Sequence, residues 1–229
     1  MSWQIRWHRF SDSEAVAAEA VRRILDAARA AIAERGAFRI VLAGGGTPRK
    51  AYESLAEQNA EWSQWHIYLG DERCLPRDDA ERNSVMIARA WLDRVQVPGR
   101  QIHWIAAERG AQAAAVEYES VIRHALPFDL VLLGMGEDGH TASLFPGQAH
   151  DPERLVVPVS QAPKPPPERV SLNYPALNQC RSLLLMATGA AKRAALERWR
   201  GGAALPVNRL RCGSGIDVLM DEAAGARLE

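Results

Sequence analysis

Short apolar runs alternate with helix-patterned segments along this chain, and that alternation limits the available folds more than any other feature. Residues 38–43, 66–69, 130–133, 183–187 and 216–220 have strand length and are dense in Ile, Val and Leu. Between them the period changes. Ser11 or Ser13 can cap a helix running to about Glu34, with Val16, Ala20, Ile24, Ala27 and Ala31 near helical spacing and Gly36 as its stop. Further helices are predicted over 49–58, over 84–95 with Val85, Ala88, Trp91 and Leu92 on one side, over 110–125 and over 190–199. Residues 102–105 and 170–174 read as short strands, and 155–159 as an edge strand because Pro158 cannot donate to a central ladder. Such an order predicts a three-layer αβα architecture: a mostly parallel, Rossmann-like sheet with helices on both faces. The 229 residues contain no internal repeat and suit one α/β domain over 1–229.

Composition narrows the function classes. Lys and Arg together number 28 and Asp and Glu 28, so the formal charge is zero and the cationic surplus of a nucleic-acid binder is missing. No apolar stretch has the length of a bilayer span, and the first 15 residues carry no signal-peptide run. Cys74, Cys180 and Cys212 are odd in number and lack metal-ligand spacing, as expected of reduced thiols. The expected setting is cytoplasmic, with neither membrane nor nucleic acid as partner and a monomer or weak homo-oligomer as the working form.

In parallel sheets ligands bind where strands end and loops lead into helices. Each unusual motif of this chain sits at such a place. Gly44-Gly45-Gly46-Thr47-Pro48 follows the apolar run 38–43. Thr47 is expected as the N-cap and Pro48 as the first helical residue, with the glycine amides free to cradle an anion. It is no Walker loop, since no Gly-Lys-Ser/Thr follows. Gly70-Asp71-Glu72-Arg73 ends the second run and is expected to open a loop. Asp71 there can serve as acid, base or hydroxyl acceptor, and Arg73 can hold an anion. Asn83 is expected to cap the next helix. Thr188-Gly189-Ala190-Ala191-Lys192 follows another strand, and Lys192 opposes the helix dipole unless an anion lies between it and the amides. Arg169, after the proline run 163–167, can supply a second cation. The plainer reading of each charge is a solvated surface residue; their joint placement favours a phosphate site.

The third strand runs into Gly134-Met135-Gly136-Glu137-Asp138-Gly139-His140. This spells the GxGxxG of a dinucleotide site, but Pro146 cuts the helix that such a site needs. Glu153 comes too early and Glu168 too late to bind a ribose. The nicotinamide reading fails. What remains is a tight turn carrying His140, with Asp138 two residues away to orient it or balance its charge, a pairing suited to general base work near neutral pH.

In this order the motifs GGGTP (44–48), DER (71–73), GMGEDGHTASLFPG (134–147), PPPERVSLN (165–173) and GAAK (189–192) resemble the short bacterial 6-phosphogluconolactonases, relatives of glucosamine-6-phosphate deaminase. The resemblance spans most of the chain. Arg82-Asn83-Ser84 matches the family's Ser-Asn pair only in part. The resemblance implies the glucosamine-6-phosphate deaminase/ribose-5-phosphate isomerase type of fold and hydrolysis of 6-phospho-D-glucono-1,5-lactone, without metal or other cofactor. The chemistry of ester opening then assigns the base to His140 and its orientation to Asp138. It gives the phosphate to Gly44, Gly45, Gly46, Thr47, Arg169 and Lys192, and the lactone ring to Asp71 and Arg73. The six histidines, at 8, 66, 103, 124, 140 and 150, show no metal-ligand spacing. Two other readings compete. A deaminase or isomerase acting on glucosamine 6-phosphate would need an acid shortly after the histidine, where Leu144-Phe145-Pro146 stand. A sugar-phosphate sensor would keep the anion grip but have no use for Asp71 and His140.

Overall fold

The computed structural model describes residues 4–225. Its main sheet is built from β1 (Ile5–Phe10), β2 (Phe38–Leu42), β3 (Trp65–Leu69), β5 (Ile102–His103), β6 (Phe128–Gly134), β9 (Cys180–Ala187) and β10 (Ile216–Asp221). The order across the sheet is β1-β10-β9-β6-β2-β3-β5, and every neighbouring pair is parallel. Three more strands, β4 (Asp71–Arg73), β8 (Arg169–Leu172) and β7 (Val156–Val159), form a small antiparallel sheet with β8 in the middle. Pro158 is thus on an edge strand, as its missing N–H requires, though not in the main sheet. Residues 71–73, expected as loop, are β4. The signal was absent because three charged residues in a row carry no apolar period, and pairing with β8 supplies what local sequence does not.

The helices are α1 (Ser13–Arg35), α2 (Gly46–Leu55), α3 (Asn83–Ala90), α4 (Ala111–Ala125), the short α5 (Tyr174–Leu177), α6 (Arg193–Arg200) and α7 (Glu222–Gly225). Asp12, not a serine, caps α1: its carboxylate accepts from the Ala15 amide at 2.9 Å, while Ser11 donates to that carboxylate. Gly36 ends the helix in the left-handed conformation, φ 73°. Right-handed crossovers put α1, α2 and α3 on one face, where they pack on one another. The reverse step from β5 to β6 sends α4 to the other face, where it packs against β7 and β8. The buried side of α3 is Asn83, Ile87 and Ala90, continuing into Trp91 and Leu92, so Val85 and Ala88 are only half-covered.

The core explains why the sheet is the scaffold. Phe38, Ile40, Trp65, Ile67, Leu69 and Phe128 are fully buried. Each large side chain so covered contributes about 1.5–3 kcal/mol relative to exposure. At the β3 end Trp65 meets Phe38 edge-on with ring centres 4.7 Å apart, and Trp91 closes on Trp65 at 5.7 Å. Two consequences fix the site. The chain runs from β2 outward to β3 and β5 and then returns to β6 on the far side of β2, so the switch point lies between β2 and β6. At Gly70 the chain leaves the main sheet for the small one: its N–H donates to Leu42 at 2.9 Å and its carbonyl accepts from Leu172 at 2.8 Å. The small sheet therefore stands beside the switch point.

Candidate active site

A cavity of about 300 Å³ opens at that switch point. Its wall brings together Gly44 and Gly45 after β2, Asp71 and Arg73 of β4, His140 from the loop after β6, and Arg169 and Lys192. Loops far apart in sequence thus share one pocket. Four of the expected residues stand differently. Gly46 opens α2 and faces the adjoining groove. Thr47 is the second residue of α2 rather than its cap, which is Gly45, and its hydroxyl pairs with that of Thr188 at 2.5 Å. Asp138 is not in the wall but behind His140. Asn83 is the first residue of α3, not its cap, and its side chain is turned into the site.

Among the described residues, His140 is the one imidazole in this wall. Its Nδ1 lies 2.5 Å from Asp138 Oδ1, and Asp138 also accepts the His140 amide at 3.2 Å. A carboxylate can only accept, so Nδ1 must be the protonated nitrogen and Nε2 keeps its lone pair. Burial lowers the pKa of His140 below its ordinary 6.5, against the pull of Asp138 and, more weakly, of Asp71. The ring is therefore neutral at pH 7 and able to take a proton. The glycines of the loop serve this pair. A Cβ on Gly136 would stand 2.0 Å from His140 Nδ1 and 2.7 Å from Asp138 Oδ1, which no packing tolerates. The GxGxxG spacing thus makes room for an imidazole rather than for a pyrophosphate. Phe145 packs on the other side, its ring centre 4.6 Å from that of His140.

Asp71 is held on both oxygens. Ser143 donates to Oδ2 at 2.6 Å, and the Asn83 amide donates to Oδ1 and to the Asp71 carbonyl, each at 3.0 Å. Gly44 passes so close to Asn83 that a Cβ would stand 2.0 Å from its Oδ1. Alternation along β4 turns Glu72 away from Asp71 and Arg73. Fully buried, Glu72 accepts the amides of Arg73, Asn83 and Ser84, each at 2.8 Å, and lies 3.4 Å from Arg82 Nε. It is the true cap of α3, supplied from another element. Arg73 donates to the Glu81 carbonyl. Asp221, at the end of β10, accepts the Gly189 amide on both oxygens at 3.0 Å and so fixes the turn that carries Lys192. Sequence reasoning missed Ser143, Thr188, Glu72, Asp221 and Lys164, which also lines the cavity. Ser143 and Glu72 stood inside matching motifs, and Thr188 and Lys164 inside segments singled out for other residues, but nothing local to their sequence gave their side chains a role.

Residues 11–219 match the family described as glucosamine-6-phosphate isomerases/6-phosphogluconolactonase. The chain belongs to this family. A 6-phosphogluconolactonase of Mycobacterium tuberculosis is 42% identical over 213 residues, with 85% of each chain covered. Among solved structures, that of a Thermotoga maritima 6-phosphogluconolactonase superposes with a TM-score of 0.89 at 30% identity, covering 95% of this chain and all of the other. A monomeric glucosamine-6-phosphate deaminase also superposes, at TM-score 0.85 and 20% identity, over 96% of this chain and 99% of its own. The family's fold is therefore common to both chemistries, and the site must decide between them. Among the described residues no helix is long and apolar enough to cross a membrane, and no three His, Cys, Asp or Glu side chains converge as metal ligands would.

Proposed function

We propose that this chain is a 6-phosphogluconolactonase, hydrolysing 6-phospho-D-glucono-1,5-lactone to 6-phospho-D-gluconate in the oxidative pentose phosphate pathway. The observation that carries the reading is an imidazole, backed by a carboxylate, lining the same cavity as Lys192. His140 Nε2 takes a proton from water as its oxygen attacks the lactone carbonyl. Arg73 stabilises the charge developing on the carbonyl oxygen. Collapse of the adduct breaks the ring C–O bond, and the imidazolium returns its proton to the departing ring oxygen. Asp71, fixed by Ser143 and Asn83, accepts a ring hydroxyl and orients the substrate. Lys192 and the Gly44 and Gly45 backbone at the start of α2 receive the phosphate, with Thr47 steadying the loop through Thr188. Arg169 adds to the cationic wall. One chain supplies every residue named, so the reading fits an enzyme working as a single domain in the cytoplasm without a partner to complete the site.

The test is a coupled assay with freshly generated lactone, corrected for spontaneous hydrolysis, in which the gluconate product is oxidised by its dehydrogenase. His140→Ala is expected to lower kcat far more than it changes KM, and Lys192→Ala chiefly to raise KM. Equal, small effects from both would refute the roles. The deaminase reading loses support from Phe145, which packs on His140 where an acid would be needed. Release of ammonia from glucosamine 6-phosphate would restore it. Binding of the lactone without turnover would leave a sensor.

A further inference from the structure

Arg169 has less freedom to meet a substrate than its place in the sequence implies. Its Nε donates to the Pro166 carbonyl at 3.1 Å, and its Nη2 to those of Lys164 and Pro165 at 2.9 and 3.0 Å. Three of its five N–H groups thus hold three consecutive carbonyls of the proline-rich loop. The side chain is nearly sealed from water, at 5% exposure, and its guanidinium lies 5.6 Å from the centre of the Phe145 ring. A further bond, from the Ala162 amide to the Pro167 carbonyl at 2.9 Å, ties the base of the loop. Held this way, the loop puts Lys164 and Pro165 into the cavity wall.

The chain has only three lysines. Lys50 is paired with Glu14 on the surface. The other two, Lys164 and Lys192, both line the cavity, and among the described residues neither has a carboxylate within the 4.0 Å of an ion pair. Burial lowers the pKa of Lys192, and the charge of Lys164 adds to that lowering against the pull of Glu137. Two unpaired ammonium groups in one small cavity repel each other unless an anion lies between them.

We propose that Lys164 is a second binding cation for the anionic end of the substrate, acting with Lys192, and that Arg169 is the positioning residue that folds the 160–168 loop to bring it there. The proposal deepens the lactonase reading and rests on it for the identity of the anion, a phosphomonoester. The role expected of Arg169 thus passes to its neighbour. A guanidinium committed to backbone carbonyls sets the loop, and a flexible ammonium on that loop meets the ligand.

The experiment compares Lys164→Ala, Lys164→Arg, Arg169→Lys and the double variant Lys164→Ala/Arg169→Lys. Steady-state kinetics are run on the phosphorylated lactone and on unphosphorylated glucono-1,5-lactone. Calorimetric titration of each protein with 6-phosphogluconate reads binding without turnover. Lys164→Ala is expected to weaken 6-phosphogluconate binding and raise KM for the phosphorylated lactone by roughly 10- to 100-fold, the loss of one charge-assisted contact. The preference for the phosphorylated over the unphosphorylated lactone falls by the same factor, and Lys164→Arg restores most of it. Arg169→Lys keeps the charge but loses the fork, so it mimics Lys164→Ala and exposes the 160–168 loop to protease. In the double variant it adds little. A Lys164→Ala protein within twofold of wild type in both KM and product binding overturns the proposal. So does an Arg169→Lys effect that multiplies fully onto Lys164→Ala, because Arg169 would then touch the substrate itself. If wild type binds 6-phosphogluconate and Lys164→Ala weakens it while no lactone is turned over, the anion site stands and the lactonase reading falls.

Discussion

Replacing Gly136 with alanine tests the site where one methyl group does the most damage. The new Cβ would lie 2.0 Å from His140 Nδ1 and 2.1 Å from its Cε1, where ordinary contact begins at 3.4 Å. Relief requires the ring to move by about 1.4 Å, and the same shift breaks its 2.5 Å bond to Asp138. A displacement of about 1 Å at a reacting group costs on the order of 100-fold in rate, and loss of a general base costs about 100- to 10,000-fold. Gly136→Ala is therefore expected to lower kcat at least 100-fold, with KM changed far less because the anion grip lies on other loops. The decisive assay is a double-mutant cycle with His140→Ala. Once the ring is gone the methyl group meets only the Asp138 carboxylate, 2.7 Å away and no longer held by the imidazole, so it can turn aside. Gly136→Ala should then cost little in that background, and the two effects should not multiply. If Gly136→Ala lowers the residual rate of His140→Ala by a further 100-fold, it acts on the fold rather than on the base. If it leaves the wild-type rate intact, the close approach of Gly136 does not set the geometry of the imidazole.

Three further outcomes follow from the same contacts. Asp138 raises the pKa of His140 while burial lowers it, so Asp138→Asn should shift the acidic limb of the kcat/KM profile to lower pH. It should also reduce the plateau at least tenfold, because an amide can hold the ring in the wrong tautomer; an unchanged limb would show that a different group titrates. Glu72→Gln takes the charge from a buried carboxylate that accepts three amides beside Arg82. It should cost about 3 kcal/mol, seen as a Tm lower by roughly 6–12 °C for a chain of this size. Burial lowers the pKa of His66 and His103 below 6.5. The folded state then binds fewer protons than the unfolded one, so their stabilising effect is full above pH 6.5 and is lost as pH falls through the folded values. Tm should fall across that window in wild type and fall less in His103→Gln; parallel curves would assign the loss to other groups.

What could be read from the sequence depended on whether the cause was local. The five main runs were legible because a strand buried on both faces must be largely apolar, as Phe38–Leu42 and Phe128–Gly134 are apart from Arg39 and Asp129 near their starts. β1 was missed because Ile5–Phe10 alternates charge with bulk at the sheet edge, with Arg6 and His8 turned to Asp217 on the adjacent strand. Capping was misread wherever the cap came from afar: local rules nominate Asn83, but Glu72 on β4 occupies the α3 amides and leaves the asparagine free to hold Asp71. Thr47 failed for a related reason, since α2 starts at Gly46 and its hydroxyl finds Thr188 141 residues away. That His140, Asp71, Arg73 and Lys192 share one cavity was legible because strand ends in a parallel sheet converge by topology.

The same convergence explains how one fold can serve two chemistries and why the loop after β6 decides between them. Every residue proposed to grip an anion here belongs to strand ends or to the proline-rich loop, and an aldose phosphate would engage them as well as a phosphorylated lactone would. Deamination needs further groups, a base at the sugar's C2 and an acid that opens the ring. In this chain the segment after His140 returns Ser143 to Asp71 and Phe145 to the imidazole. That packing leaves one polarised imidazole against an apolar ring, which suffices to activate water on an ester already strained into a ring. The segment 141–147 itself carries no carboxylate. On the lactonase reading, the specificity of the site rests on what Phe145 excludes as much as on what His140 contributes.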